Sequence, residues 1–84
     1  MDEIRQTIRN FILETYLSGE SPENLGDGTP LQTSGILDSL AAMGLIAFLE
    51  KQYAIELDVY DTAVERFDRI DDIAACVARK RAKA

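Results

Sequence analysis

Apolar residues recur at helical spacing near both ends of the chain and across one stretch of its middle. Ile4, Ile8, Phe11 and Ile12 fall on one face, while Arg5, Gln6, Arg9, Asn10 and Glu14 occupy the rest. This pattern predicts an amphipathic helix from Asp2 to Leu17, stopped near Ser18-Gly19 because glycine is favoured just past a helix end, with Pro22 soon after. From Ser39 to Tyr53 there is no proline and one glycine among Leu, Ala, Met, Ile and Phe, which predicts a second helix. At 100° per residue, Leu45, Ile46, Leu49 and Tyr53 share a core stripe with Ala42. Near the C-terminus Ile70, Ile73, Ala74 and Val77 form another stripe, with Asp68 placed as an N-cap and basic residues at the end. Leu57 to Phe67 is less periodic and is read as a short third helix, with Val59, Tyr60, Val64 and Phe67 as core contributors. No strand alternation, hairpin turn or repeat interrupts this all-α reading of three longer helices and one short one.

Between the first two helices the pattern lapses. Ser18 to Asp38 collects Gly19, Pro22, Gly26, Gly28, Pro30 and Gly35 with no sustained period, which predicts a long loop. A connection of about twenty residues is unusual in a small fold, so it is either functional or wrongly assigned. Leu25, Leu31, Ile36 and Leu37 are placed to anchor it to a core, and Thr29-Pro30 restrains its backbone. The side of the second helix opposite its core stripe is also unusual, since Leu40, Gly44, Ala47 and Phe48 lie there with Lys51 a turn later. Either that helix is buried all round or a partner docks on it.

Length limits what such a chain can do. Its 84 residues, read as one domain over 1–84, close a modest core but leave little for an enclosed substrate cavity. The single cysteine, Cys76, can form no internal disulfide and reads as a packing residue in a reducing compartment. The net charge of −6, from fifteen acids against nine bases, disfavours nucleic acid and anionic membranes as partners. No apolar run approaches the roughly eighteen residues of a membrane span, and Met1-Asp2-Glu3 lacks the order of a secretory signal, so the expected location is cytoplasmic. Arg79, Lys80, Arg81 and Lys83 crowd the C-terminus while acids dominate from Asp58 to Asp72, an order that complements a helix dipole.

The inventory of reactive groups is short. Without histidine there is no Ser-His-Asp or Cys-His centre and no zinc site of Cys and His. Asp58 to Asp61 and Asp68 to Asp72 do not reproduce a calcium-loop spacing, so no metal site is expected. Spacing leaves glycosidase-like carboxylate pairs open, but they need a sugar-sized cleft that 84 residues are not expected to provide, so no catalytic residue is expected. Ser39 remains, with two readings. Asp38 and Ser39 are both ordinary helix-cap residues ahead of an apolar run. Taken alone the pair reads first as capping, but the same geometry puts a hydroxyl at the exposed start of a helix, where unpaired N–H groups and the positive dipole end favour an attached phosphate.

Around that serine the chain resembles the acyl and peptidyl carrier protein family. Asp38-Ser39-Leu40 matches the family's Asp-Ser-Leu attachment motif, preceded by Gly35-Ile36-Leu37 and followed by a helix ending Phe48-Leu49-Glu50-Lys51-Gln52-Tyr53. The first helix, the long loop, the short third helix and the closing Phe67-Asp68-Arg69-Ile70-Asp71-Asp72-Ile73 also fall in the family's order. The resemblance implies a four-helix carrier bundle whose Ser39 is joined by a phosphodiester to 4'-phosphopantetheine from coenzyme A, transferred by a separate phosphopantetheinyl transferase. It implies that the arm's thiol holds an acyl or aminoacyl group as a thioester and that the carrier itself catalyses nothing. It gives Asp38 a helping role in modification, through the transferase's magnesium-bound coenzyme A.

One departure from the family narrows the expectation. Carriers of bacterial fatty-acid synthesis usually bear several acids along the second helix, whereas here Leu40, Ala41, Met43, Gly44, Ala47 and Phe48 leave only Glu50 acidic, beside Lys51. The resemblance therefore points to a free-standing, monomeric carrier of an aminoacyl or short acyl unit in specialised biosynthesis of polyketide or nonribosomal peptide type. Leu40, Met43, Gly44 and Ala47 are its expected docking residues. Its partners are then the transferase, a loading enzyme (an adenylating enzyme or an acyltransferase) and downstream synthase enzymes. The alternatives are a D-alanyl carrier, a fatty-acid carrier, or an acidic helical adaptor with no prosthetic group.

Overall fold

A computed structural model describes residues 2–17, 19 and 21–83, with the side chains of Pro22 and Lys83 outside the description. Among the described residues three α-helices carry the fold, α1 (Asp2–Thr15), α2 (Ser39–Tyr53) and α3 (Ile70–Lys83), with two 3-10 turns at Pro22–Asn24 and Val64–Arg66. No strand occurs among the described residues, and no helix there is long and apolar enough to cross a membrane. α1 buries Ile4, Ile8, Ile12 and Leu13, α2 buries Ala42, Leu45 and Leu49, and α3 contributes Ile70, Ile73, Ala74, Cys76 and Val77. These are the faces the 3.6-residue spacing brings together. Phe11 is half-buried and stacks on Phe48 of α2, ring centroids 4.1 Å apart at 14°. That pairing answers in part why the far side of α2 is apolar, since one edge of it lies against α1.

Each helix end has a local cause. α1 closes at Thr15, two residues before the expected Leu17, with the Tyr16 and Leu17 N–H groups both donating to the Ile12 carbonyl. Ser18 lies outside the described residues, but Gly19 adopts the left-handed φ of +90° expected of a terminating glycine. α2 has the bounds its composition predicts and ends on Ala54, a left-handed residue (φ 54°) whose N–H donates to the Glu50 carbonyl.

The expected short helix over Leu57 to Phe67 is replaced by turns and the single 3-10 turn Val64–Arg66. Asp58 and Asp61 satisfy each other's backbone: the Asp61 N–H donates to Asp58 Oδ1 at 2.8 Å and the Asp58 N–H to Asp61 Oδ2 at 3.2 Å. Such side-chain bonds compete with the helical ladder. Phe67 is buried as expected, but Val59, Tyr60 and Val64 are exposed, Val59 to 87%, and are not core residues. Asp61 is only 3% exposed and ties this segment to α3 by accepting from Lys80 Nζ at 2.7 Å and Arg79 Nη2 at 3.3 Å. Two of the C-terminal bases thus have a specific partner as well as a helix dipole to complement. Burial opposes the Asp61 charge, but the Lys80 ammonium and the Asp58 N–H outweigh it and hold the carboxyl at about 2.

The long connection between α1 and α2 is ordered by three buried leucines, Leu25, Leu31 and Leu37, with Ile36 half-buried beside them. Arg9 of α1 reaches across to it, donating through Nε to the Leu25 carbonyl at 2.8 Å and pairing with Asp27. Asp68, expected to cap α3, does something else. Its carboxylate turns away from its own helix and accepts the backbone N–H groups of Leu31, Gln32 and Thr33.

Candidate functional site

The loop delivers its last residues to the start of α2 through a tight turn. The Gly35 N–H donates to the Gln32 carbonyl at 3.1 Å and the Leu37 N–H to the Leu31 carbonyl at 2.8 Å. Gly35 has φ +86°, a conformation that a side chain would strain. With Leu37 in the core, Asp38 and Ser39 emerge together at the surface.

Of the two cap candidates, Asp38 is the cap. Its backbone is extended (φ −81°, ψ −178°), and its Oδ1 accepts the Ala41 N–H at 2.8 Å while its carbonyl accepts the Ala42 N–H at 2.9 Å. Ser39 is therefore the first helical residue. Its exposed hydroxyl makes no hydrogen bond to any described residue. The nearby Ser34 differs, donating through Oγ to the Pro30 carbonyl at 2.5 Å.

An open depression of about 370 Å³ borders the serine, lined by Gln32, Thr33, Leu37, Asp38, Ser39 and Val64. The unengaged hydroxyl, the first turn of a helix behind it and open space in front are compatible with a bulky phosphodiester on this oxygen. Asp38 Oδ2 also makes no hydrogen bond to a described residue.

The four expected docking residues divide. Leu40 is 78% exposed, Met43 64%, and Ala47 is exposed beyond them. Gly44 is half-buried because the Tyr16 side chain lies over it, and Phe48 is taken up by Phe11. Glu50, the lone acid of α2, accepts the Leu57 N–H through Oε2 at 2.9 Å. The outer face of α2 is thus an apolar stripe whose single carboxylate is already occupied. Missed from sequence was Asp68, whose partners are about thirty-five residues distant and carry no short-range signal.

No curated protein matches the chain. The model of the phosphopantetheine attachment site family matches residues 13–77, well over half of the chain and including the Ser39 region. Members of that family carry 4'-phosphopantetheine covalently on a serine. The chain belongs to the phosphopantetheine attachment family, in keeping with an acyl or peptidyl carrier protein.

Proposed function

We propose that Ser39 is the attachment residue and that the protein carries an aminoacyl or short acyl unit between enzymes of a specialised pathway, of polyketide or nonribosomal peptide type. The observation that supports this most is the Ser39 hydroxyl, exposed at the start of α2 and free of hydrogen bonds to described residues. In the modification the Ser39 oxygen forms a new bond to the pantetheine phosphorus of coenzyme A as the pyrophosphate bond breaks. Adenosine 3',5'-bisphosphate leaves, and the hydroxyl proton passes to the transferase. Once bound, the group supplies a terminal thiol that holds cargo as a thioester.

This chain's residues contribute placement. Asp38 keeps the first turn of α2 closed through Oδ1, and its carboxylate would help to hold the magnesium that accompanies coenzyme A on the transferase. Leu40, Met43 and Ala47 present an apolar surface next to the serine, suited to enzymes with apolar docking patches. Contacts of this size release quickly, as a shuttle requires, and tethering keeps the cargo at high effective concentration while docked.

Incubation with a broad-specificity phosphopantetheinyl transferase and coenzyme A, read by intact mass, tests the proposal. The expected result is one phosphopantetheine added to the wild type and none to Ser39→Ala. An unmodified wild type, beside a control carrier that is modified, would leave the apolar face as that of an adaptor without a prosthetic group.

A further inference from the structure

The loop ahead of Ser39 and the start of α3 are laced together in antiparallel order. The Asp71 N–H donates to the Asp27 carbonyl at 3.1 Å, Arg69 Nε to the Gly28 carbonyl at 3.2 Å, the Leu31 N–H to the Asp68 carbonyl at 2.7 Å, and Gln32 Nε2 to the Phe67 carbonyl at 2.9 Å. Asp68 is the centre of this seam. Only 8% exposed, it uses both carboxylate oxygens: Oδ1 accepts the N–H groups of Leu31 (3.1 Å), Gln32 (2.6 Å) and Thr33 (3.0 Å), and Oδ2 accepts the Thr33 hydroxyl at 2.7 Å. Three backbone donors and a hydroxyl converging on one buried carboxylate make a rigid, charge-assisted joint.

The joint is connected to the serine by short steps. Leu31, held at its N–H by Asp68, accepts the Leu37 N–H at its own carbonyl at 2.8 Å. Both leucine side chains are in the core, so the turn between them can neither rise nor slide without breaking these contacts. Asp38 follows Leu37 as the cap of α2, and Ser39 follows Asp38.

We propose that Asp68 is a positioning residue for phosphopantetheine attachment: by holding the Leu31–Thr33 turn it sets where Ser39 Oγ meets transferase-bound coenzyme A. The inference rests on the assignment of Ser39 as the attachment residue. Misplacing a nucleophile by a fraction of an ångström to an ångström slows the chemical step far more than it weakens docking, and the docking face of α2 has no bond to Asp68.

The test compares apo wild type with Asp68→Ala, Asp68→Asn and Thr33→Val as transferase substrates, fitting kcat and KM separately and correcting for the folded fraction by circular dichroism. Asp68→Ala is expected to lower kcat about tenfold or more with KM within about twofold of wild type. Asp68→Asn keeps an oxygen for the three N–H donors and is expected to restore kcat to within about twofold. Amide hydrogen exchange at Leu37 and Ala41, whose N–H groups bond the Leu31 carbonyl and Asp38 Oδ1, should quicken in Asp68→Ala and not in Asp68→Asn. An unchanged kcat per folded Asp68→Ala molecule overturns the proposal, because a residue that only stabilises the fold moves the melting temperature alone. If Asp68→Ala does not fold, the exposed Thr33→Val carries the test: a kcat lowered about threefold supports it, and an unchanged one overturns it. A wild type that is never modified sinks the attachment reading and this inference with it, whereas a modified wild type with unaffected variants sinks this inference only.

Discussion

Replacing Gly44 by alanine should destabilise the protein, although in most helices the same change helps. In a helix interior alanine is favoured over glycine by about 1 kcal/mol. At this position a Cβ would fall well inside van der Waals contact of the Tyr16 hydroxyl, with the ring carbon bearing that hydroxyl 3.6 Å away. The ring has little freedom to withdraw, since it meets Phe11 edge-on with centroids 5.9 Å apart, and Phe11 is stacked on Phe48. Forcing an extra methyl into such packing costs about 1–3 kcal/mol. The net expectation for Gly44→Ala is a loss of about 1 kcal/mol, or a fall of roughly 4–8 °C in melting temperature for a domain of this size. Tyr16→Phe removes the obstructing oxygen, which makes no hydrogen bond to a described residue, so it should be nearly neutral alone. In that background Gly44→Ala should stabilise by about 1 kcal/mol, giving a coupling of about 2 kcal/mol across the double-mutant cycle. Thermal and urea unfolding of the four proteins measures it. Additive effects, with Gly44→Ala equally favourable in both backgrounds, would refute the packing of Tyr16 over Gly44 and return this glycine to the docking face.

Three further outcomes follow from the same contacts. Asp61 has its carboxyl held at about 2 against an ordinary 3.8, so the unfolded chain binds more protons in between. Its contribution is complete above about pH 4–5 and is lost as pH falls through 2. The shift corresponds to ~2 kcal/mol, reduced to ~1 kcal/mol by the solvent around its cationic partners. Asp61→Asn should flatten the acid limb of urea midpoints measured from pH 5 to pH 2, leaving the part contributed by Asp68, also held below its ordinary value; an unaltered limb would deny the clamp. Ala54→Gly should raise stability by about 0.5–1 kcal/mol by relieving the left-handed alanine at the end of α2, and a loss on urea titration would show that φ is not constrained there. Met43→Glu, on the exposed stripe, should slow loading by the cognate enzyme about tenfold while the melting temperature holds, because a carboxylate would be brought against an apolar partner; unchanged loading kinetics place docking elsewhere.

The helices were legible because their periodicity is a local property. The bounds of α2 and the stripes of α1 and α3 follow from residues three or four apart, and the loop's anchors follow from leucines among glycines and prolines. The helix start at Asp38 and Ser39 was legible for a different reason, since Asp-Ser-Leu in its frame marks a helix start whatever its chemistry. What sequence could not show is how acids far apart in the chain choose partners. Asp68 reads as a cap of the following helix, and only the fold brings Leu31, Gln32 and Thr33 to it. Asp58 and Asp61 read as part of an acidic helix, yet their side chains close turns on each other's backbone and leave Val59 and Tyr60 in solvent. Leu40, Met43 and Ala47 of α2 face outward as expected, whereas the covering of Gly44 and Phe48 was hidden, because it depended on Tyr16 and Phe11 reaching over from α1.

Fragment-ion mapping of the modified wild-type protein shows which hydroxyl accepts the phosphopantetheine. Ser34 and Ser39 lie five residues apart in the sequence and both are exposed, but Ser34 Oγ is bound to the Pro30 carbonyl whereas Ser39 Oγ makes no hydrogen bond to a described residue. If Ser39 is the attachment residue, every modified fragment carries its added mass on Ser39. Added mass on Ser34, or on any other residue while Ser39 stays bare, would contradict it.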